Sequence, residues 1–544
     1  MRQLPIGIQD FKAVRDSDKY YVDKSMLIAQ MLEQNDNGVF LYTRPRRFGK
    51  SLNLSMMDAF FNMEYKGNKW FDGLKISEYP EFDRYRNAFP VISVDMRVDS
   101  VADFEDFVDA FNFKLRHVFG RFTYLLDSER LDEVSKRSFM DAYSGNIRVR
   151  GSMSALFDLS TFLEKHHGMK VIVLMDEYDN VVNSIPDPDL RRKILDFFRG
   201  VMSPLFKGND SLQFGVVTGV TQITKENIFS GLNNLYVNNI LSEDYDEMFG
   251  FTDDEVRQIC EDYGHPEKFE EAKDWYDGYR FGEADIYNPW SILNYIQKKF
   301  KPASYWVNTS GNDIIRDLLD RAGPDILNEM ENLGSGGSIL CNVTPSLTFE
   351  DLGKKNAIYS LMAISGYLKA VPEGSRYALS IPNRELYHVF ADMISDYIFD
   401  NTNPITYISD FSDAILSGDT DVMEKALYEI IEISVSSRVL DNEHSYQMLL
   451  TGMMMSMSGR YRITADMEKG RGYYDIRMER LSGRGCNAVI EIKRVKSDND
   501  LKSAAEDALK QIHEKDYTHG LEGETILYGI AFCDKVPYII SERL

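Results

Sequence analysis

Cysteine is scarce in this sequence. Four occur in 544 residues, Cys260, Cys341, Cys486 and Cys533, with no CxxC pair and no histidine nearby at ligand spacing. That scarcity excludes a zinc module and a disulfide framework and fits a reducing cytoplasm. Long apolar runs are missing too. No stretch approaches the roughly 18 to 20 apolar residues that cross a bilayer, and the opening MRQLPIGIQDF lacks the apolar centre of a signal peptide. Neither a membrane segment nor a secretory signal is expected. Positive charge is short, 62 Lys and Arg against 86 Asp and Glu, for a formal net charge of -24. A field of that sign repels nucleic acid at long range, so any such contact must rest on a local basic cluster.

What remains is globular material. Hydrophobic content of 43%, aromatics at 12% and charged residues at 27% exclude collagen-like, coiled-coil and wholly disordered chains. At roughly 150 residues per domain the length suggests three or four domains. Residues 1–242 alternate β-rich runs with helical periodicity, the pattern of a parallel sheet covered by helices. Strands are expected at Val39 to Thr43, Val91 to Met96, Val171 to Met175 and Phe214 to Thr218. Residues 243–440 read as mostly helical, broken by YDGYRFG, YNPWS and a loop or linker at Gly334 to Ser338. Residues 441–544 read as a small α/β domain: two β-rich runs flanking the turn LSGRG, a helix from about Asn499 to Tyr517, and a strand from Thr525 to Cys533.

The first strand runs into RPRRFGKSLNL, whose Gly49-Lys50-Ser51 ends a P-loop pattern, with Arg44 where the first glycine normally lies. Glycine admits phosphate to the backbone, N–H groups of the following helix face the anion, Lys50 reaches the β/γ-phosphates and Ser51 ligates magnesium. Arg46, Arg47, Phe48 and Leu52 complete the expected nucleotide-binding stretch, a stiff and cationic loop. The strand KVIVLM then ends in Asp176-Glu177. Asp176 would hold magnesium through water and Glu177 would polarise the attacking water. Thr218, closing a later strand, stands where a nucleotide sensor sits.

The terminal domain carries Asp475, then AVIEIKRVK with Glu491 and Lys493. Residues two apart on a strand share a face, so Glu491 and Lys493 project together while Ile490 and Ile492 face the other way. Two carboxylates and a lysine at strand ends suit magnesium and phosphodiester chemistry. Glu468 upstream and Gln511 on the next helix support the group, and Arg494 and Lys496 add local positive charge. An ordinary cross-strand Glu–Lys pair gives the same pattern.

These blocks together resemble the bacterial AAA-ATPase-like proteins with a C-terminal PD-(D/E)xK nuclease-superfamily domain. The resemblance runs through PIGIQDF, TRPRRFGKSLNLSMM, LMDEYD, TGVTQITKENIFSGLNNL, FGFTDDEV, YDGYRFG, YNPWSIL, EKGRGYYDIRM and AVIEIK. It implies ATP and Mg2+ as cofactors, nucleotide contacts at Gly49, Lys50 and Ser51, an acidic pair at Asp176 and Glu177, and a nuclease-like site of Glu468, Asp475, Glu491, Lys493 and Gln511. The arginine-rich loop is itself a family trait. Gln222 stands where the family often has arginine, with Lys225 three positions on. ATP sites of this class are often completed between subunits, which admits a homo-oligomer.

Three functions are then open. The first is an ATPase that gates metal-dependent cleavage of nucleic acid, DNA more than RNA. The second is an ATP-controlled signalling or defence switch whose nuclease-like domain only binds nucleic acid or protein, which the acidic balance favours. The third is a scaffold with a degenerate loop. Trp275, Tyr276, Trp290 and Trp306 read as core aromatics, Met453 to Met457 as adaptable packing, and His513 and His519 as structural.

Overall fold

The computed structural model describes all residues except 1, 35–37, 99–100, 181–184, 186, 224–233, 307–328, 330–331, 335, 348–354, 391–404, 435–439, 441, 458–459 and 482–484, and except the side chains of 405–406, 433–434, 456 and 468–469. The chain forms two compact units, Met1–Asn308 with Leu340–Asn383, and Thr309–Ile339 with Arg384–Leu544.

In the first unit, β1 (Val39–Thr43), β2 (Val91–Asp95), β3 (Val171–Asp176), β4 (Leu212–Gly219) and β5 (Leu235–Asn238) form an all-parallel sheet in the order β2-β3-β4-β1-β5. β1 is buried at every position and β3 at all but its last, as strands covered on both faces must be. The four expected strands form within two residues of their predicted ends. β5 was not expected, being only four residues long. Helix α1 (Lys50–Phe61) follows β1, and α2 (Phe104–Gly120), α3 (Val149–His167) and α4 (Pro188–Phe206) cover the sheet. Phe197 of α4 meets Phe107 and Phe111 of α2 edge-on at 5.3 and 5.0 Å. Strand order sets β4 between β1 and β3, so their carboxyl ends lie at one edge of the sheet.

The rest of this unit is mostly helical, with helices at Asp253–Asp262, Phe269–Tyr276, Pro289–Gln297 and Lys355–Ile364. Thr252 and Glu255 close a reciprocal capping box on the first of these. YDGYRFG forms a hairpin, Tyr279–Phe281 against Ala284–Ile286. Gly278 there has φ 108°, and a Cβ would lie 2.0 Å from the Pro382 carbonyl oxygen, so no other residue fits.

The second unit holds α5 (Ile405–Ser417), α6 (Thr420–Ser434), α7 (Glu443–Met454) and α8 (Leu501–Lys515). Its sheet runs β6-β7-β8-β9-β10, namely Tyr461–Lys469, Gly472–Arg480, Asn487–Val495, Thr525–Cys533 and Val536–Arg543. Only the β8 and β9 pairing is parallel among these neighbours. One face carries Ile476, Met478, Ile490, Ile492 and Ile530 into a core shared with Met453, Met454 and Met457. The other face carries Val489 and Leu527, packed with Ile512 of α8 and with Tyr517. β10 is an edge strand, and its Ile539 N–H donates to Glu424 Oε1 of α6 at 2.6 Å.

The last helix is shorter than expected. Residues 498–500 make a separate 3-10 turn, and Asp516, at φ 56°, ends α8 in the left-handed region. Tyr517 therefore lies beyond the helix. Of the Gly334–Ser338 run, expected as a loop or linker, Ser335 lies outside the described residues. Gly337 N–H bonds to the Asn332 carbonyl at 2.8 Å and Asn332 Nδ2 to the Ser338 carbonyl at 2.9 Å, closing a helical turn beside the unit boundary. All four cysteines are buried with free thiols. Among the described residues no helix is long and apolar enough to cross a membrane.

Candidate functional site

The loop between β1 and α1 is built as its sequence requires. Gly49 has φ 84°, a conformation that favours glycine, and a Cβ there would meet nothing within 4 Å, so backbone geometry and not packing selects it. Lys50 opens α1, its side chain buried, and Nζ donates to the carbonyls of Arg44 at 2.9 Å and Pro45 at 3.0 Å. Burial lowers its pKa, while Glu177, Asp176 and Asp179 work to restore the charge. Ser51 and Leu52 are half-buried on the same helix.

Arg44, one of the arginines expected to make the loop more cationic than usual, is turned inward. Its side chain is 0% exposed and turns toward the end of β5. It donates to the carbonyls of Thr43 at 2.9 Å, Asn238 at 3.2 Å and Tyr245 at 3.4 Å, and to Asn238 Oδ1 at 2.5 Å. Its guanidinium lies over Phe249 at 4.8 Å and Phe281 at 5.2 Å. Cationic character at the loop surface comes from Arg46 and Arg47, both half-buried. Arg47 sits at φ 70°, which costs a non-glycine residue ~1–3 kcal/mol, and its guanidinium lies 4.4 Å from the Trp290 ring centroid. Trp306 Nε1 donates to the Arg46 carbonyl at 3.4 Å, and the Phe48 ring is wedged against Tyr279 and Phe281, each at 5.0 Å. Tyr276 and Trp306 are buried as expected for core aromatics; Trp290 instead is half-buried and serves as a platform for Arg47.

At the end of β3, Asp176 Oδ1 accepts from the Glu177 N–H at 3.0 Å and from the Thr218 hydroxyl. The expected sensor threonine is thus bonded to the expected magnesium-holding carboxylate. Glu177 has φ 54°, and burial raises its pKa against the pull of Lys50. Two residues escaped the sequence reading. Asp179 is 0% exposed and accepts from the N–H groups of Val220 at 3.1 Å and Thr221 at 2.6 Å and from the Thr221 hydroxyl at 2.7 Å. It fixes the exit of β4, and a Cβ on Gly219 would lie 2.5 Å from its Oδ1. Arg97, paired with Asp95 at 2.9 Å, acts electrostatically on Glu177 and Asp176. Gln222 lies in a two-residue strand paired with Ser346, and Lys225 lies outside the described residues.

In the second unit, the β7–β8 ladder stops at Ile476↔Ile490. The next residue outward is Asp475, whose Oδ2 accepts from the Ile492 N–H at 2.6 Å and replaces the missing ladder bond. Its carbonyl accepts from Gln447 Nε2 of α7 at 2.7 Å. Glu491 is 2% exposed; its Oε1 accepts from Lys493 Nζ at 3.0 Å and from Gln511 Nε2. Gln511 also reaches the Tyr517 hydroxyl at 3.4 Å. Asp475, Glu491, Lys493 and Gln511 therefore meet as anticipated. Glu468 opposes Tyr473 in the β6–β7 ladder, and its side chain lies outside the described residues. Burial, and each carboxylate's neighbouring negative charge, push Asp475 and Glu491 above the ordinary carboxyl range. Burial opposes the charge of Lys493, and the Glu491 carboxylate overcomes it and raises the pKa. Sequence reasoning missed Glu443, at the start of α7, which accepts from the Arg494 N–H at 3.0 Å and adds negative potential at Asp475.

The donor set suits magnesium. Glu491 Oε2 is buried with no hydrogen-bond partner, an acceptor that a cation would satisfy. Among the described residues no three His, Cys, Asp or Glu side chains group as a metal cage. Mg2+ keeps several waters and commonly takes only one or two carboxylates, which Asp475 and Glu491 provide.

Residues 5–229 match the family model described as "Predicted AAA-ATPase", and residues 441–542 match that of the PD-(D/E)XK nuclease superfamily. The chain thus carries an AAA-ATPase-like domain followed by a PD-(D/E)XK nuclease-superfamily domain. It is also similar to the protein named "Uncharacterized protein in vnfD 5'region" of Azotobacter chroococcum mcd 1, at 29% identity over 322 residues. That match covers 58% of this chain and 56% of the relative's length.

Proposed function

We propose that this protein binds and hydrolyses ATP in its N-terminal domain and couples nucleotide state to Mg2+-dependent cleavage of nucleic acid by its C-terminal domain. The observation that carries the reading is the buried, unpartnered Glu491 Oε2 beside Asp475 and Lys493, because folding would not otherwise favour an unsatisfied carboxylate oxygen. At the loop, Lys50 would exchange the Arg44 and Pro45 carbonyls for the β/γ-phosphates, Gly49 and the first turn of α1 would supply N–H groups, and Ser51 and Asp176 would hold the nucleotide's magnesium. Glu177, its pKa raised by burial, orients and deprotonates the attacking water.

At the second site a bound Mg2+ supplies Lewis acidity toward the scissile phosphate. Asp475 and Glu491 would hold it; Lys493 keeps its proton through Glu491 and offers a fixed cation to developing negative charge; Gln511 orients Glu491. Lys493, Arg494 and Lys496 give a net-acidic chain its local attraction for phosphate. Residues 243–440 are the coupling region in this reading.

The test is phosphate release with Mg2+, with and without DNA or RNA, in wild type, Lys50→Ala and Glu177→Gln. Hydrolysis that either variant reduces by about 100-fold or more supports the assignment. Tight ATP binding without hydrolysis would favour a switch instead, and hydrolysis retained in both variants would remove the loop as its site.

A further inference from the structure

The cationic loop is held between fixed points on both sides of one residue. Before it, Trp306 bonds the Arg46 carbonyl; after it, Phe48 is wedged into the Tyr279–Phe281 hairpin, and Gly250 N–H bonds the Phe48 carbonyl at 3.2 Å. With the backbone anchored, the side chain of Arg47 is the part left to respond to a ligand. It lies against an indole fixed in orientation: Trp290 Nε1 donates to the Tyr305 carbonyl at 3.0 Å, and its backbone N–H is capped by Asn288 Oδ1 at 2.9 Å. Burial opposes the charge of Arg47, Arg46 and Arg97 add repulsion, and Glu177 counters them. A cation in that position is poorly compensated, and a polyphosphate would compensate it better than an indole face does.

We propose that Trp290 is a positioning residue for the nucleotide site, which parks Arg47 on its indole when no nucleotide is bound and releases it to the polyphosphate when ATP arrives. This rests on the reading of the loop as an ATP site. Parking competes with phosphate, so removing the indole strengthens binding, whereas a merely structural tryptophan would weaken binding when removed.

The experiment combines calorimetric titration with tryptophan emission, using Mg2+ and the β,γ-imido analogue of ATP as probe. In wild type, emission changes and saturates with binding. Trp290→Leu binds about two- to fivefold more tightly, the factor expected for loss of an exposed to half-buried cation–π contact. Trp290→Phe, a conservative second variant, loses the emission change and tightens binding less. In an Arg47→Ala background, which binds more weakly, Trp290→Leu has no further effect. Unchanged or weaker binding in Trp290→Leu, or unchanged emission while calorimetry reports binding, overturns the parking role alone. A wild type that does not bind the analogue at all overturns the nucleotide-site reading and this inference with it.

Discussion

The two candidate sites treat their central charges in opposite ways. In the phosphate loop most cationic donors are bonded in advance: Lys50 has two backbone carbonyls and Arg44 four acceptor contacts, although Arg44 Nε is itself buried without one. In the carboxylate site the anion is left short, with Glu491 Oε2 buried and unpartnered. A loop that satisfies its own lysine holds its shape without ligand and gives up internal hydrogen bonds only to a stronger acceptor. A carboxylate left short destabilises the fold until something positive arrives. One site is rigid by internal bonding, and the other is poised by internal deficit.

The largest effect should come from splitting the sites. Lys493→Ala or Asp475→Ala is expected to lower nucleic-acid cleavage by about 100-fold or more while ATP hydrolysis stays within about twofold. Paired cleavage and phosphate-release assays check it, and joint loss would break the separation. Next comes Arg44→Gly, which restores the usual glycine of the loop pattern. It removes a buried side chain and leaves Asn238 Oδ1 unpaired, so unfolding free energy should fall by about 3 kcal/mol despite the better match. Denaturant unfolding measures this, and an unchanged midpoint would mean Arg44 is no anchor.

The smallest effect tests the deficit. Glu491 has its pKa raised by burial, so its stabilising contribution is present below the unfolded value and is lost as pH rises through the folded one. Glu491→Gln removes that loss. At about pH 8 the variant should be more stable than wild type by ~1 kcal/mol, with no gain near pH 4. Mg2+ should then stabilise the wild type and not the variant, which thermal unfolding with and without the ion would read.

What was legible in the sequence was local. Gly49-Lys50-Ser51 declares itself because strand, loop and helix adjoin in the chain, and Glu491 with Lys493 because strand residues alternate faces. Asp475 could be aligned with them because one short turn joins the strands. What was illegible depends on distant partners. Arg44 reaches Asn238, Asp179 closes on Val220 and Thr221, and Glu443 reaches the Arg494 N–H, none of which any spacing rule connects. The end of α8 was missed because Asp516 takes the left-handed turn usually signalled by glycine. The role of Trp290 was missed because an aromatic in a helical region is core by default.

The Glu424 contact at β10 has a consequence for how the protein behaves in solution at high concentration. An exposed strand edge offers its free N–H groups to any other chain, and it is there that sheets join and aggregates begin. Here a carboxylate from α6 already takes the Ile539 N–H, placing negative charge where an incoming strand would need to lie. Burial raises the pKa of Glu424, so mild acid neutralises this guard sooner than an ordinary glutamate. Strand-to-strand association should accordingly set in on the acid side while the sheet itself is still folded.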